Sequence, residues 1–310
     1  MRIAHFSDLH LLDLSGVYPH RLWTNKRATG MLNLKFHRGH THKPFAADVL
    51  AKDLLTQSID HVVVTGDLSN LSLEPEFERA TRWLADLGLS PSAISVVPGN
   101  HDVYTRGAQR SQRFVKHFAA RMRSDLDLAT AGNHPSGPFP YVQLRGEVAF
   151  IGLSSAIARP PVLSAGYVGP QQRDALDAML VHPMLSGRYP VVLMHHPVIN
   201  PANAWRRFSR GLREAPVMRS LLSRRSLLFL HGHLHHRGWR QLETGSDVVV
   251  DHIGATSATL LDRDPDRRSG YNVYEVSSEG LLSARARVLS AEGTSVVDQT
   301  IPKLSAAWAD

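Results

Sequence analysis

Short apolar runs recur along this chain, and several of them stop abruptly at polar residues. The clearest run covers residues 227–230 and is followed at once by His231-Gly232-His233-Leu234-His235-His236. A short, unbroken apolar run is typical of a strand that is buried on both faces. A buried strand that ends in closely spaced histidines predicts a metal site at the carboxyl edge of a sheet.

Four other predicted strands end in the same way. Residues 2–6 are followed by Asp8 and His10, residues 61–64 by Asp67, residues 93–97 by Asn100 and His101, and residues 191–194 by His195. One such ending would mean little, because a lone histidine at a strand end is usually structural. Five of them predict one polar site built from several strand ends.

The remaining apolar pattern completes an α/β chain. Runs without such endings predict strands at 148–153, 248–250, 271–276 and 284–289. Apolar positions at helical spacing predict helices at 45–57, 75–87 and 171–181. Strands that alternate with helices in this way predict an α/β fold.

Length and linker composition favour a single domain over residues 1–310. A chain of 310 residues can form one large α/β domain or two small ones, and no linker long enough to separate two domains is visible. Three segments depart from the strand and helix pattern: a basic and apolar insertion at 11–44, a polar cap segment at 103–140 and a β-rich C-terminal part at 245–310.

The composition narrows the chemistry and the compartment. The chain has no cysteine, which excludes disulfides, thiolate nucleophiles and cysteine zinc sites and suits a reducing compartment. No apolar stretch approaches the roughly 20 residues that span a bilayer, and the chain begins directly with a strand-like segment instead of a leader. We therefore expect a cytoplasmic protein.

The net charge of +7 is concentrated in two segments. Residues 14–47 carry six Lys or Arg and no acid, and residues 205–225 carry seven Arg and one Glu, so each segment contributes +6 and the remainder carries 7 − 12 = −5. Such local basicity favours an anionic substrate or surface, and nucleic acid is not the expected partner. Two solvated basic loops are the alternative interpretation.

The donor types at the strand ends indicate which metals would bind. Carboxylate, imidazole and amide groups without sulfur suit Mn²⁺, Fe or Zn²⁺, and they suit Ca²⁺ or a copper thiolate centre poorly. Manganese is the expected ion. The strand ends offer more ligands than one hydrolytic metal needs, which favours two metals that share a bridging carboxylate.

Together, these motifs resemble the calcineurin-like metallophosphoesterase superfamily. The matching residues occur in the family's order and within roughly residues 1–260: Asp8-x-His10, Gly66-Asp67, Gly99-Asn100-His101-Asp102, His195 and Gly232-His233-x-His235. The resemblance implies a four-layer αββα sandwich of two mixed sheets flanked by helices, with the metal site on loops at one edge. It also implies two metal sites, one held by Asp8, His10, Asp67 and His235 and the other by Asp67, Asn100, His195 and His233.

The same resemblance implies the reaction. A phosphodiester or pyrophosphate bond would be hydrolysed by in-line attack of a hydroxide that bridges the two metals, which sit about 4 Å apart and lower the pKa of the shared water. His101 is expected to stabilise the transition state or protonate the leaving group. Asp102 is expected to fix the tautomer of His101 by accepting a hydrogen bond.

Three histidine positions have competing interpretations. The segment Gly39-His40-Thr41-His42 fits the same Gly-His-x-His pattern as residues 232–235. It follows no apolar strand, however, and is therefore rejected as a primary ligand pair. At His195-His196 the first histidine ends the strand directly, so His196 is expected to pack nearby or to face the substrate. His231 and His236 are given supporting roles.

Residues 68–70 and the two basic segments bear on the substrate. Protein phosphatases of the superfamily carry Asp-Arg-Gly where this chain has Leu68-Ser69-Asn70, which favours the phosphodiesterase and pyrophosphatase branches. Arg206, Arg207 and Arg210 are expected to bind a distal phosphate, with ordinary surface charge as the alternative.

The insertion interleaves cations with Trp23 and other apolar residues, which suits a membrane surface. A second hypothesis is therefore a pyrophosphatase at the inner membrane face that acts on a lipid-linked nucleotide, such as a UDP-diacylglucosamine-like substrate. A DNA nuclease or scaffold is the third.

Overall fold

Two six-stranded mixed sheets form the centre of the computed structural model, which describes residues 1–23, 26–33, 41–126, 134–245 and 247–304. The first sheet contains β1 Arg2–Phe6, β2 His61–Val64, β3 Ile94–Val96, β10 Gly270–Ser277, β11 Gly280–Leu289 and β12 Val296–Gln299. The second contains β4 Tyr141–Arg145, β5 Val148–Gly152, β6 Tyr189–Leu193, β7 Leu227–His231, β8 Gly238–Gln241 and β9 Val250–Gly254.

Helices connect the strands and cover the sheets. In the described residues they are α1 His20–Trp23, α2 Arg27–Asn33, α3 Pro44–Leu54, α4 Glu74–Asp86, α5 Arg106–Arg110, α6 Arg113–Phe118, α7 Pro170–Leu180, α8 Ala204–Arg210 and α9 Ala215–Leu222. Short 3₁₀ turns lie at Pro91–Ala93, Ala119–Arg121 and Pro183–Leu185. No helix in the described part of the chain is long and apolar enough to cross a membrane.

The strand order places parallel strands side by side in each sheet. The first sheet has the order β12-β11-β10-β1-β2-β3, in which β1, β2 and β3 are parallel. The second has the order β4-β5-β6-β7-β9-β8, in which the inner four strands are parallel and the two edge strands are antiparallel. The carboxyl ends of the parallel strands in each sheet therefore share one edge.

The two faces of the second sheet are buried in different cores. Phe150 and Leu230 belong to the core between the sheets, whereas Ile151 and Phe229 pack with α7 and α9 on the outside. Successive side chains of a strand point to opposite faces, so an unbroken apolar run fills both layers. Helices α3 and α4 cover the first sheet through residues such as Leu50. The expected four-layer αββα sandwich is confirmed.

Strands and helices with a strong apolar pattern begin and end close to their predicted bounds. Strands with a weak apolar pattern were shifted or not predicted. The strand expected at 248–250 begins at Val250, and strands β4, β8 and β12 were not predicted. These three strands lie at sheet edges and contain polar residues, so they lack a continuous apolar run. The β-rich C-terminal part divides between the sheets, because β9 pairs with β7 while β10 to β12 extend the first sheet.

The described part of the insertion packs on the loop that follows β2. Leu22 and Met31 contact a small apolar cluster that contains Leu71 and Tyr104. The buried guanidinium of Arg27 donates from Nε to the carbonyl of Leu71 at 2.8 Å. Gly39 and His40, the first two residues of the segment compared above with the motif at 232–235, lie outside the described residues, as does the rest of 34–40.

Candidate metal centre

Five parallel strand ends meet where the edges of the two sheets come together. β1, β2 and β3 carry Asp8, His10, Asp67 and Asn100 to this point, and β6 and β7 carry His195, His233 and His235. The edges are joined directly, since Nδ1 of His195 contacts the carbonyl of Thr65 at 2.7 Å and the amide of His233 donates to Oδ2 of Asp8 at 3.1 Å. The expected set of strand-end residues is thus assembled in one place.

An uncommon backbone conformation aims several of these side chains. Left-handed φ angles occur at Asp8 (52°), His10 (47°), Asp67 (53°), His233 (71°) and His235 (51°). Residues other than glycine rarely adopt this region, and each instance costs on the order of 1–3 kcal/mol. The sharp turns that result point consecutive loops inward at the ends of the strands.

Two glycines let the ligand loops approach each other. A Cβ at Gly99 would overlap the carboxylate of Asp67, and a Cβ at Gly232 would overlap Oγ of Ser7 and Oδ2 of Asp8. Any larger residue would therefore displace a carboxylate of the centre. The glycines of the Gly-Asn-His and Gly-His-x-His motifs have this steric role.

The first donor group contains Asp8, His10 and His235. Nε2 of His10 and Nε2 of His235 face each other at 3.1 Å. Oδ1 of Asp8 lies 3.1 Å from Nε2 of His235 and 3.7 Å from Nε2 of His10. Asp8 is fully buried, and its Oδ1 accepts no hydrogen bond from the described residues, while Oδ2 is held by Oγ of Ser7 at 2.6 Å.

The second donor group contains Asp67, Asn100 and His195. Nε2 of His195 lies 3.4 Å from Oδ2 of Asp67 and 3.2 Å from Oδ1 of Asn100. Oδ2 of Asp67 is also 3.9 Å from Nε2 of His10, so Asp67 lies between the two groups. His233 borders this group, with its ring 5.1 Å from that of His195, and its Nε2 contacts the carbonyl of Arg210 at 3.0 Å. Since this contact uses Nε2, a metal ion at His233 would have to bind through Nδ1.

The electrostatics of the centre favour bound cations. Burial alone would lower the pKa of His195, but the charge of Asp67 raises that pKa to about 9. Burial opposes ionisation of Asp67, yet His195 and His101 hold its pKa below the usual range. Buried carboxylates of this kind need positive partners. The orphaned Oδ1 of Asp8 and the convergent imidazole nitrogens fit metal ions as these partners.

A comparison with protein families decides the identity. The profile of the family described as calcineurin-like phosphoesterase matches residues 1–237 of the chain. The chain belongs to this family. Members of the calcineurin-like family bind two divalent metal ions, and the overlapping donor groups here supply candidate ligands. The chain is a metal-dependent phosphoric ester hydrolase.

Solved structures with similar folds agree with the family assignment. A dimetal phosphatase from Danio rerio aligns with a TM-score of 0.59 and 16% identity, over 97% of this chain and 99% of that one. A purple acid phosphatase from seeds of yellow lupin, Lupinus luteus, aligns with a TM-score of 0.53 and 13% identity, over 98% of this chain and 54% of that one. At these identities the likeness concerns the fold. A search of curated proteins finds no match.

The structure corrects the role expected of one residue in the calcineurin-like motif. Asp102 does not accept a hydrogen bond from His101, whose Nδ1 instead contacts the carbonyl of Asn70 at 2.7 Å. The carboxylate of Asp102 accepts from the amides of Leu68, Ser69 and Gly99 and from Oγ of Ser69, at distances of 3.2, 2.9, 3.0 and 2.9 Å. The carboxylate of Asp102 therefore holds together the loops of Ser69 and Gly99.

His101 itself lies at the centre. Its backbone amide donates to Oδ1 of Asp67 at 2.7 Å, and its ring packs edge-on against His10 with centroids 5.0 Å apart. On its other side, His101 stacks on Tyr104 with an interplanar angle of 12°. The carbonyl of Asn70 thus fixes the orientation of the His101 ring through Nδ1.

Substrate contact is not the role of His196. Its Nε2 donates to the carbonyl of Ser164 at 2.7 Å, and its Nδ1 pairs with Oγ of Ser155 at 2.8 Å. Both ring nitrogens are thus used inside the protein, and the fully buried ring packs 4.3 Å from that of His233. His196 supports His233 from behind, which is one of its two expected roles.

The three expected substrate-binding arginines occupy different surroundings on α8. The side chains of Arg206, Arg207 and Arg210 are all exposed. Arg207 lines a cavity of about 540 Å³ together with Arg219 and Arg240. Arg210 reaches the centre only through its backbone carbonyl, which contacts His233. Their role in binding a distal phosphate stays a prediction.

One residue of the insertion, His42, contacts the centre and another, Lys26, lies outside it, although the sequence analysis selected neither. The ring of His42 lies edge-on to His10 and His235, with centroids 5.1 and 5.4 Å away, and its Nδ1 pairs with Oγ1 of Thr259 at 3.0 Å. Nζ of Lys26 lies 4.5 Å above the ring of Tyr104. The only signal for His42 was the Gly-His-x-His spelling of residues 39–42, which was set aside because no strand precedes it.

Proposed function

We propose that this chain hydrolyses a phosphodiester or pyrophosphate bond at a centre of two metal ions, with Mn²⁺ favoured over Fe and Zn²⁺. The observation that carries the proposal is the pair of donor groups that meet at Asp67. One metal would be held by Asp8, His10, Asp67 and His235, and the other by Asp67, Asn100, His195 and His233. When bound, such ions supply an activated water and neutralise the phosphate oxygens.

The chain's own contacts prepare the ligand atoms for this task. A histidine that contacts a carbonyl through one nitrogen presents the lone pair of the other. Thr65 fixes His195 in this way, and Arg210 fixes His233. Asp67 accepts the amide of His101 on Oδ1, which leaves Oδ2 directed toward His10 and His195.

His101 is the proposed proton donor to the leaving group. A ring nitrogen of His101 lies in one group with donor atoms of His10 and Asp67, within 4.8 Å of both. The carbonyl of Asn70 keeps Nδ1 protonated, so Nε2 can carry the second proton of an imidazolium. Stabilisation of charge on the transferred phosphoryl group is the alternative role of the same ring.

The preference for a diester or pyrophosphate rests on residues 68–70. Protein phosphatases of the superfamily place an arginine near this motif, whereas here Ser69 bonds to Asp102 and Nδ2 of Asn70 donates to the carbonyl of His10 at 2.6 Å. Neither residue offers a cation to a doubly charged monoester. A singly charged diester needs less compensation.

The proposal predicts that Asp67→Asn and His101→Ala each abolish Mn²⁺-dependent hydrolysis of bis(p-nitrophenyl) phosphate. Asp67→Asn removes the shared carboxylate, and His101→Ala removes the proton donor. Circular dichroism should show an unchanged fold, and the exposed His20→Ala is a matched control that keeps full activity. Wild-type activity in either site variant would contradict this site assignment.

A lipid-linked nucleotide at the inner membrane face is the second candidate. Its support is a set of exposed apolar side chains, namely Trp23 (56% exposed) and Leu32 (47%) in the insertion and Trp205 (64%) and Phe208 (63%) on α8. Aromatic residues mixed with cations favour the surface of an anionic membrane.

This candidate predicts that Trp23→Ser combined with Phe208→Ser reduces co-sedimentation with phosphatidylglycerol vesicles several-fold, because the apolar side chains supply the insertion energy. Val181→Ser, which removes an apolar side chain 74% exposed at the end of α7, is the control. Equal binding by all three proteins argues against the membrane.

A further inference from the structure

Lys26 carries a half-buried charge at the edge of the metal centre. Its Nζ donates to the carbonyl of Leu163 at 2.9 Å and lies 4.5 Å above the ring of Tyr104. Tyr104 in turn stacks on His101, and His101 contacts His10. The insertion thus places an ammonium group beside the layer of rings that leads to the proposed metals.

The helix α2, which begins directly after Lys26, is anchored in this position. Arg27 bonds to the carbonyls of Leu71 and Ser72 at 2.8 and 3.2 Å. Gly30 lets α2 approach closely, since a Cβ there would lie 2.7 Å from Cδ2 of Leu71 and 2.8 Å from Oη of Tyr104. The placement of Lys26 is therefore fixed by the fold and not by its own flexible side chain alone.

Arg159 is a second cation that contacts the loop to which Lys26 is bonded, the loop of residues 159–165. Its Nε donates to the carbonyl of Ala165 at 3.0 Å, two residues beyond the carbonyl that Lys26 contacts. The two charges act on each other, because Arg159 contributes to lowering the pKa of Lys26, although burial has the larger effect. Among the described residues, neither cation forms an ion pair with a carboxylate, and both use neutral carbonyls instead.

Glu214 favours the charged form of Arg159, as Asp67 does for Lys26, but among the described residues neither carboxylate forms an ion pair with these cations. Two partly buried like charges that lack a direct ion pair favour a further anion beside them. The charge of Asp67 favours the ionised form of Lys26, but the proposed metals would neutralise that charge. The loop of residues 159–165 continues to Gly166, whose amide donates to Gly211 at 3.0 Å, directly after the α8 carbonyl that holds His233. An anion at Lys26 and Arg159 would thus lie next to the proposed reaction centre.

We propose that Lys26 and Arg159 bind a second anionic group of the substrate, beyond the phosphate that is cleaved. This proposal rests on the phosphoesterase function proposed above and narrows it to substrates with a further phosphate or similar anion, as in a pyrophosphate linkage. Lys26 acts as a specificity residue that contacts the substrate and not the metals.

The test compares one-phosphate and two-phosphate ligands. Inhibition constants of orthophosphate and of imidodiphosphate, a pyrophosphate analogue, are measured against bis(p-nitrophenyl) phosphate hydrolysis at constant Mn²⁺. Binding of both ligands is also followed by calorimetry. Chelation in solution is the same for all variants and cancels in the ratios. The variants are Lys26→Gln, Arg159→Gln and the conservative Lys26→Arg, with Lys52→Gln on α3 as an exposed control.

Lys26→Gln and Arg159→Gln should each weaken imidodiphosphate about tenfold, the ratio expected for loss of one charge-assisted hydrogen bond. Orthophosphate binding and turnover of bis(p-nitrophenyl) phosphate should change less than about twofold, and Lys26→Arg should retain most of the affinity. Equal weakening of both ligands, or no weakening of imidodiphosphate, overturns the proposal. A wild-type protein that binds imidodiphosphate through Lys26 but hydrolyses no phosphoester would refute the proposed function alone.

Discussion

The carboxylate of Asp102 connects two of the loops that carry proposed metal ligands. It accepts hydrogen bonds from Leu68 and Ser69, which follow Asp67, and from Gly99, which precedes Asn100. Burial and the charge of Asp67 raise the pKa of Asp102 to about 7. Asp102 therefore holds the distance between Asp67 and Asn100 without touching either side chain.

Asp102→Asn should lower the free energy of unfolding of the metal-free protein by about 1–3 kcal/mol, because the new amide replaces an acceptor and leaves buried donors unpaired. Urea unfolding at pH 8 measures this. His101→Ala should remove activity, while its cost in unfolding free energy, from the lost contacts with Asn70 and Tyr104, should be about 1 kcal/mol. If Asp102→Asn were as stable as wild type and inactive, the residue would be catalytic after all.

At the scale of single residues, the sequence could identify the side chains that follow apolar strands. It could not identify hydrogen-bond partners that a turn of the backbone brings together. Asp8 and His235 were selected because each closely follows a buried run, and the shared edge of parallel strands brings them together. The hydrogen-bond partner of His101 could not be predicted from sequence order. The adjacent Asp102 accepts from Ser69 instead, and the carbonyl of Asn70 contacts His101.

Strand β2 links the two sheets through His61. This buried ring stacks on Phe150 of β5 with centroids 4.0 Å apart, and its Nε2 pairs with Oγ of Ser95 on β3 at 2.7 Å. Burial, with the charge of Arg145, lowers the pKa of His61 to about 3. The ring is therefore neutral in the folded protein over the physiological range of pH.

His61 should make the fold sensitive to acid. In the unfolded chain its pKa is about 6.5, so the stability that its neutral form contributes is full above that pH and is lost as pH falls toward 3. Between pH 7 and pH 5, the wild type should lose about 2 kcal/mol more unfolding free energy than His61→Gln. Urea titrations at both pH values test this, with the exposed His20→Gln as control, and parallel losses in all three proteins would contradict it.

Elements buried on both faces were predictable, and edge elements were not. β6 and β7 contain unbroken apolar runs whose side chains fill two cores, so their sequence signal is strong. β8 lies at an edge and alternates buried with more exposed positions, and it contains Arg240 and Gln241. Such a strand is stabilised by its pairing with β9 more than by its own apolar pattern.

For the whole molecule, the two basic segments of the chain approach the same site. The insertion reaches it through Lys26, and residues 205–225 reach it through the end of α8 beside His233. The loop of residues 159–166 contacts both segments. The two basic stretches are thus brought next to the same centre by backbone and side-chain contacts, and Lys26 is the cation whose side chain these contacts place there. Sequence spacing alone could not reveal this, because the loop that joins the segments carries little pattern of its own.

The left-handed backbone at five proposed ligands has a consequence for protein engineering. Glycine adopts this conformation without strain, so replacing Asp8 or His233 by glycine would relieve part of the local cost in the metal-free chain. A library screened for heat resistance alone would therefore enrich changes at the very positions that the reaction needs. Stabilising this enzyme requires holding those five residues fixed and searching elsewhere in the sandwich.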